Sequence, residues 1–249
     1  MSGLQPKFTF LKKQIMSTTD LKKNLVVLTG AGVSAESGLR TFRDSDGLWE
    51  GYNVYEVATP RGFNSNPELV LRFYNDRRKD VAAAQPNAAH KGLAALEKHF
   101  NVQIITQNID DLHERAGSGN VTHLHGEIFK MRSIDDPFKT YPINSDIHVG
   151  DLAEDGSQLR PYIVWFEEPV PMMEEAAKIV RKADIFVVIG TSLQVYPAAS
   201  LVDYAPYQNP KYIIDKKIPY TASLYNLTVI EKPAGEGVAD LIKMLVSGE

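Results

Sequence analysis

The chain of 249 residues contains no cysteine. Disulfides, iron–sulfur clusters, thiolate zinc sites and a cysteine nucleophile are therefore excluded. No stretch approaches the roughly 18 apolar residues that a membrane helix needs, and the longest apolar runs lie inside strand-like patterns. The first 20 residues have neither an apolar core of signal-peptide length nor a small-residue cleavage site; Lys7, Lys12 and Lys13 surround only a short Phe8–Leu11 patch, which argues against secretion. Glycine and proline, at 17 and 14 residues, are too few for a collagen-like or low-complexity chain. Excess charge is also missing, since the net charge is −4 and the pI near 5.9, so nothing general favours nucleic acid or a membrane surface as a partner. What is present, 43% hydrophobic and 23% charged residues in 27.7 kDa, suffices for a sizeable core. These features lead us to expect a soluble, cytoplasmic protein.

Leu25-Val-Val-Leu-Thr29 is a short, β-branched, bounded apolar run that reads as a buried strand, and Gly30-Ala-Gly-Val-Ser34 follows it directly. Asn66-Pro67-Glu68 has the features of a helix start: a capping side chain, proline at the first helical position and an acid in the first turn. A second helix is expected after Pro86, through Ala88, Leu93, Leu96 and Phe100. Further strands are expected at Val102–Thr106, Asp184–Gly190, Tyr212–Ile214 and Leu227–Ile230, with helices over Met172–Lys182 and Gly237–Val246. Buried strands alternating with helices imply an α/β fold, a Rossmann-like parallel sheet covered on both faces. From Lys130 to Leu159 the sequence turns polar and breaks the pattern, so a small inserted module is expected at about 127–160, and a helical insert at about 40–85. Met16-Ser-Thr-Thr-Asp20 reads as an alternative start, making residues 1–20 an N-terminal extension, expected to be disordered, ahead of one catalytic domain over 21–249.

A Gly-Ala-Gly turn closing a buried strand suits a pyrophosphate, which backbone N–H groups and a following helix N-terminus would hold. The spacing Gly30, Gly32, Gly38 is not that of hydride-transferring dehydrogenases, and Thr41–Tyr52 reads as a loop where their second strand would lie. Gln107-Asn-Ile-Asp110 ends a strand, where open α/β sheets bind ligands. An amide and a carboxylate there suit a carboxamide heterocycle and a ribose. Gly190-Thr-Ser192 ends another strand and offers hydroxyls. His125-Gly126 pairs an imidazole that titrates near neutrality with a residue that leaves room for substrate. His90, His99, His113 and His148 lack comparable context, and His123 is read as facing away from the site.

Together these segments resemble the sirtuin family of NAD-dependent protein lysine deacylases, from Leu25 to the closing helix. The resemblance rests on Gly30-Ala-Gly-Val-Ser-Ala-Glu-Ser-Gly38, Thr41-Phe-Arg43, Thr106-Gln-Asn-Ile-Asp110, Leu124-His-Gly126, Arg160-Pro-Tyr-Ile-Val-Trp-Phe166 and Gly190-Thr-Ser192. Likeness to bacterial CobB-type, class III sirtuins is carried by Asp46-Gly-Leu-Trp49, Val57-Ala-Thr-Pro60, Phe73–Arg78 and Gln85–His90. The resemblance implies NAD as cofactor, acylated-lysine proteins or peptides as substrates, and release of nicotinamide, free lysine and O-acyl-ADP-ribose. It implies that Gly30, Ala31, Gly32 and Ser34 hold the pyrophosphate and that Phe42 and Arg43 form a cofactor loop. Gln107, Asn108, Ile109 and Asp110 would face the ribose and nicotinamide, with Asn108 and Asp110 joining the catalytic group. His125 is implied as general base. Gly190, Thr191, Ser192, Asp215, Ala234 and Trp49 would complete the cofactor site. Val164, Trp165 and Phe166 would pair with the substrate peptide and enclose its acyl-lysine. Tyr74 and Arg77, three apart on one helix, match the pair by which class III sirtuins recognise succinyl- and malonyl-lysine, and Ala58 matches the small residue that leaves their acyl pocket roomy. Alternatives are mono-ADP-ribosyl transfer from the same cofactor, or a non-catalytic sensor of NAD or ADP-ribose.

Three departures stand out. The family's zinc-binding cysteine pairs are missing, and Met131-Arg-Ser133 stands where the first would begin. The module is then expected to be metal-free and to hold together by packing Ile134, Phe138, Tyr141, Ile143 and Ile147. The family's glycine after Trp-Phe is Glu167, and its adenine-side asparagine is Asp215; Lys232-Pro-Ala234 resembles the turn that contacts adenine.

Overall fold

The computed structural model describes residues 22–40, 48–49, 51–219 and 224–247. Phe42 and Arg43 lie outside the described residues, as does the side chain of Trp49. Strand β1 (Asn24–Thr29) runs into two short 3₁₀ turns, Ala31–Val33 and Ala35–Ser37. A small hairpin follows, β2 (Leu48–Trp49) with β3 (Tyr52–Asn53), in a stretch expected to be loop. Next come α1 (Val54–Val57), α2 (Pro60–Ser65), α3 (Pro67–Ala83) and α4 (Ala88–Leu96). Then follow β4 (Asn101–Thr106), α5 (Leu112–Arg115), β5 (Val121–His123), β6 (Gly126–Ser133), β7 (Thr140–Pro142) and β8 (Leu159–Ile163). The chain closes with α6 (Met173–Val180), β9 (Ile185–Ile189), β10 (Lys211–Ile214), β11 (Leu227–Ile230) and α7 (Ala234–Ile242).

Six strands form one parallel sheet in the order β11-β10-β9-β1-β4-β5. Alternate residues of β1 serve opposite faces: Leu25 and Val27 pack with α4 and α7, whereas Val26 and Leu28 pack with α6. Both faces of the central strands are covered, which is why β1 and β9 read as apolar runs. The chain leaves β1 toward β4 and later returns to place β9 on the other side of β1. A crevice therefore opens at the carboxyl ends of β1 and β9, the position where open α/β sheets take ligands.

Local capping explains the helices of the insert. The Asn66 side chain accepts from the Leu69 N–H at 3.0 Å and Pro67 opens α3. Asn87 caps α4 and is capped in return by Nδ1 of His90, which accepts from the Asn87 N–H at 3.3 Å. By contrast, α7 starts three residues before the expected Gly237, because the Glu36 carboxylate accepts from the Gly235 N–H at 2.7 Å. That cap comes from 199 positions away in the chain.

The module between the sheet strands is an antiparallel sheet, ordered β7-β6-β8, that packs on α3. Ile143 and Ile147 are buried within it, as expected, and Tyr141 packs against the same cluster. Ile134 and Phe138 are not; Phe138 is 90% exposed, so packing by these two must be discarded. Buried polar groups of α3 do more. Arg78, 2% exposed, donates to the Ile128 and Ser145 carbonyls at 2.9 and 3.0 Å and to Asn75 Oδ1 at 2.9 Å. Asn75 in turn exchanges hydrogen bonds with the backbone of Ile147. Glu168 binds Arg160 at 2.6 and 3.1 Å and Arg132 at 3.5 Å. Among the described residues no group of three or more His, Cys, Asp or Glu is placed to hold a metal, and Ser133 is buried with its Oγ accepting from the Asp135 N–H. The residues present do not fit a structural zinc.

Arg78→Met is expected to lower stability by roughly 3 kcal/mol, since two buried acceptors and one partly buried one lose a charged donor. In a domain of this size that is a fall in Tm on the order of 10 °C. Scanning calorimetry checks it, and an unchanged Tm would show that the clamp is dispensable.

Candidate active site

The turns after β1 and β9 close on each other backbone to backbone. The Gly30 N–H donates to Ile189 O at 3.0 Å and the Gly32 N–H to Gly190 O at 2.8 Å. A Cβ on Gly32 would stand 2.6 Å from the Gly190 Cα, and Gly190 itself has φ +64. These glycines are demanded by the contact between turns, and their two N–H groups are spent there, not held free for a phosphate as the sequence suggested. The N–H of Ala31 has no acceptor among the described residues and borders the cavity. No α-helix starts here either; the 3₁₀ turns end at Gly38, φ +88, so the expected helix N-terminus is absent from this segment.

A cavity of about 630 Å³ opens over the carboxyl ends of the strands. Gly30, Ala31, Gly32, Gly190, Thr191 and Ser192 line its centre, with Asp215 and Ala234 toward β10 and α7. Gln107, Asn108, Ile109, His125, Ala58, Tyr74 and Val164–Phe166 line it on the β5 side. Ser34, Asp110 and Arg77 line a smaller adjoining pocket, which shares Ala31, Gln107, Asn108 and Ile109 with the large one. The Ser34 hydroxyl donates to Asp110 Oδ2 at 3.0 Å and accepts from Asn108 Nδ2 at 3.1 Å. Its donor is thus committed to a carboxylate. Burial raises the Asp110 carboxyl above the ordinary carboxylate range, partly offset by the Leu112 N–H and the Ser34 hydroxyl.

His125 is half-buried, and its Nδ1 lies 3.0 Å from the Gln107 carbonyl. A carbonyl only accepts, so Nδ1 carries the hydrogen and Nε2 keeps a lone pair. Burial lowers the His125 pKa below its ordinary value, against the pull of that hydrogen bond, which leaves the imidazole neutral at pH 7. Gly126 has φ +84, and a Cβ there would meet Tyr162 O at 2.0 Å. Its glycine is required by the crossing of β6 and β8, a different reason from space for substrate. His123 is engaged elsewhere. Burial opposes its charge, but Glu114 at 2.8 Å and the Asn108 carbonyl at 3.0 Å outweigh that and raise its pKa.

Val164–Phe166 extends β8 without further ladder pairing. Its three N–H groups are taken, by His125 O, Glu168 Oε2 and Ala58 O at 2.9, 2.8 and 2.9 Å. Among the described residues the carbonyls of Val164 and Phe166 and the N–H of Glu167 have no partner. Trp165 is buried against Phe63, Tyr74 and the Arg160 guanidinium. Burial pushes the Tyr74 phenol above its ordinary pKa, so it stays a donor. Tyr74 and Arg77 share the buried face of α3, yet they line adjoining compartments and do not point into one.

A Sir2 family model matches residues 30–197. The chain belongs to the Sir2 family. An NAD-dependent protein deacylase of Helicobacter pylori is 53% identical over 224 residues, which are 90% of this chain and 98% of that protein. One of Bacteroides thetaiotaomicron is 53% identical over 230 residues, again covering 90% and 98%. Among solved structures, a mutant Sir2 homologue in complex with ADP-ribose superposes with a TM-score of 0.83 at 38% identity, covering 91% of this chain and 93% of that one. The Sir2 cavity fits a dinucleotide: its volume lies in the usual range for ligand sites, Ala31 lines it with an N–H that has no acceptor among the described residues, and the buried Asp215 stands at the end of β10.

Sequence reasoning missed parts of this Sir2 site. Gln194–Pro197, Lys216 and Lys217 also line the cavity; they lie within a few residues after Ser192 and Asp215, already singled out, which was the available signal. His90 and His113 were set aside. They are buried in edge-to-face contact at 4.8 Å beneath the site, with Nε2 atoms 3.5 Å from Ser34 Oγ and 3.1 Å from Thr29 Oγ1. Burial pushes the His90 pKa down to about 4.

Proposed function

We propose that this Sir2-family chain, an NAD-dependent protein deacylase, removes acetyl, succinyl and malonyl groups from lysine side chains, with His125 as general base. The observation that carries this reading is the neutral His125, held by Gln107 O, in one cavity with the strand-end turns and with Val164–Phe166. When bound, NAD supplies an ADP-ribosyl group that accepts the acyl chain as nicotinamide leaves. Ala31 and the ends of β9 and β10 would hold its phosphates and adenosine, and Asn108 and Ile109, shared by both pockets, would face the nicotinamide side.

His125 accepts a hydroxyl proton on Nε2 while Nδ1–H stays on the Gln107 carbonyl, so the ring keeps its orientation as it becomes charged. The Val164 and Phe166 carbonyls and the Glu167 N–H are the backbone groups left for an extended peptide, which supports docking by strand addition. Trp165 walls the acyl-lysine channel and helps exclude water. Arg77, in the adjoining pocket, supplies the cation that a dicarboxylic acyl chain requires, and Tyr74 lines the large cavity from which that chain would reach it.

The test is one peptide carrying acetyl-, succinyl- or malonyl-lysine in turn, incubated with NAD and followed by mass. Loss of each acyl mass, with nicotinamide released in equal amount, is expected. Gain of ADP-ribose on the peptide would indicate transferase activity, and no nicotinamide release would indicate a sensor.

A further inference from the structure

Glu167 sits on the rim of the large cavity with φ +73, in the left-handed region that glycine occupies without strain. The turn that holds it is pinned on both sides. The Phe166 N–H donates to Ala58 O at 2.9 Å, and the Glu168 N–H to Trp165 O at 3.1 Å. Glu168 spends its carboxylate inward, on Arg160, Arg132 and the Trp165 N–H. The Glu167 side chain is exposed and has no hydrogen bond or ion pair among the described residues, and the two arginines next to the turn are already committed to Glu168. An unneutralised carboxylate thus stands beside the backbone groups left for an extended peptide, on a residue type that its own backbone conformation disfavours. Backbone strain kept at a binding rim calls for a functional reason.

We propose that Glu167 is a specificity-determining residue, whose carboxylate favours substrates with lysine or arginine next to the acylated lysine. The proposal rests on the reading that the peptide docks along Val164–Phe166. In strand addition the backbone supplies affinity and the flanking side chains meet the rim, where a basic side chain pairs with Glu167 and an acidic one is repelled. The pair is solvent-exposed, so the preference is modest and falls with salt.

Three acetyl-lysine peptides differing only in arginine, glutamine or glutamate at the flanking positions test this in wild type, Glu167→Gln, Glu167→Lys and Glu167→Gly. Wild type is expected to favour the arginine peptide over the glutamine peptide roughly two- to fivefold in kcat/KM, through KM, and less so at high salt. The preference should vanish in Glu167→Gln, invert in Glu167→Lys, and vanish in Glu167→Gly while Tm rises as strain is relieved. A wild type blind to flanking charge, or the same preference retained in Glu167→Gln, would overturn the assignment. N-methylation of the peptide amides flanking the acyl-lysine separates the two readings. Undiminished turnover of the methylated peptide overturns the docking mode itself, whereas its loss together with a charge-blind wild type overturns only the role of Glu167.

Discussion

Replacing His125 by alanine is expected to lower NAD-dependent deacylation roughly 10²–10⁴-fold while the fold and NAD affinity stay close to wild type. Among the described residues the side chain makes one hydrogen bond, from Nδ1 to the Gln107 carbonyl, on the lining of an open cavity, so removing it leaves no buried charge. What disappears is the lone pair on Nε2. The pH profile gives an independent check. Because burial lowers the His125 pKa, the neutral form persists below the ordinary histidine value, and kcat/KM should fall only as pH drops through a midpoint below about 6.5. Deacylation within about twofold of wild type in the variant, or an acid limb centred above 6.5, would remove His125 from the role of base.

The second large effect is expected from Arg77→Met, which should depress desuccinylation far more than deacetylation. Arg77 is buried on α3 and lines the pocket that adjoins the main cavity, and its charge acts on both the Tyr74 hydroxyl and the Asp110 carboxyl. A carboxylate at the end of an acyl chain gains a charge-assisted hydrogen bond from this group, worth roughly 1.5–3 kcal/mol, whereas an acetyl group gains none. Selectivity for succinyl over acetyl should therefore fall on the order of ten- to a hundredfold. Kinetics on matched succinyl and acetyl peptides decide it. An equal loss of both activities would mean that Arg77 supports the site through Asp110 and Arg40 O and does not read the acyl carboxylate.

The main sheet was legible because its central strands β1 and β9 are buried on both faces and apolar along nearly their whole length, and the short apolar runs of β4, β10 and β11 are bounded by polar or glycine punctuation. The starts of α3 and α4 were legible for a local reason too, since Asn66 and Asn87 cap backbone groups two or three residues away. The functional clusters were legible because Gly30–Gly32, Gln107–Asp110, His125 and Gly190–Ser192 all follow or end strands, and a parallel sheet brings its carboxyl edge to one crevice.

Long-range contacts decided the rest. The start of α7 depends on Glu36, and the burial of Arg78 on carbonyls contributed by Ile128 and Ser145. A basic helix end and a buried clamp look alike until the module arrives to supply acceptors. Ile134 and Phe138 look like core residues by composition, yet the polar clamp on α3 anchors the module and leaves both at its surface. The reason for Gly126 appears only where Tyr162 O crosses it, and the spent N–H groups of Gly30 and Gly32 only where β9 ends beside β1. Amino-acid types and their spacing thus determined the sheet, its order of elements and the chemistry gathered at its edge. Which donors remain free for a ligand, which histidine keeps a lone pair and which charges are buried depended on packing between residues far apart in the chain, because hydrogen-bond partners and desolvation belong to the folded state and not to any local segment.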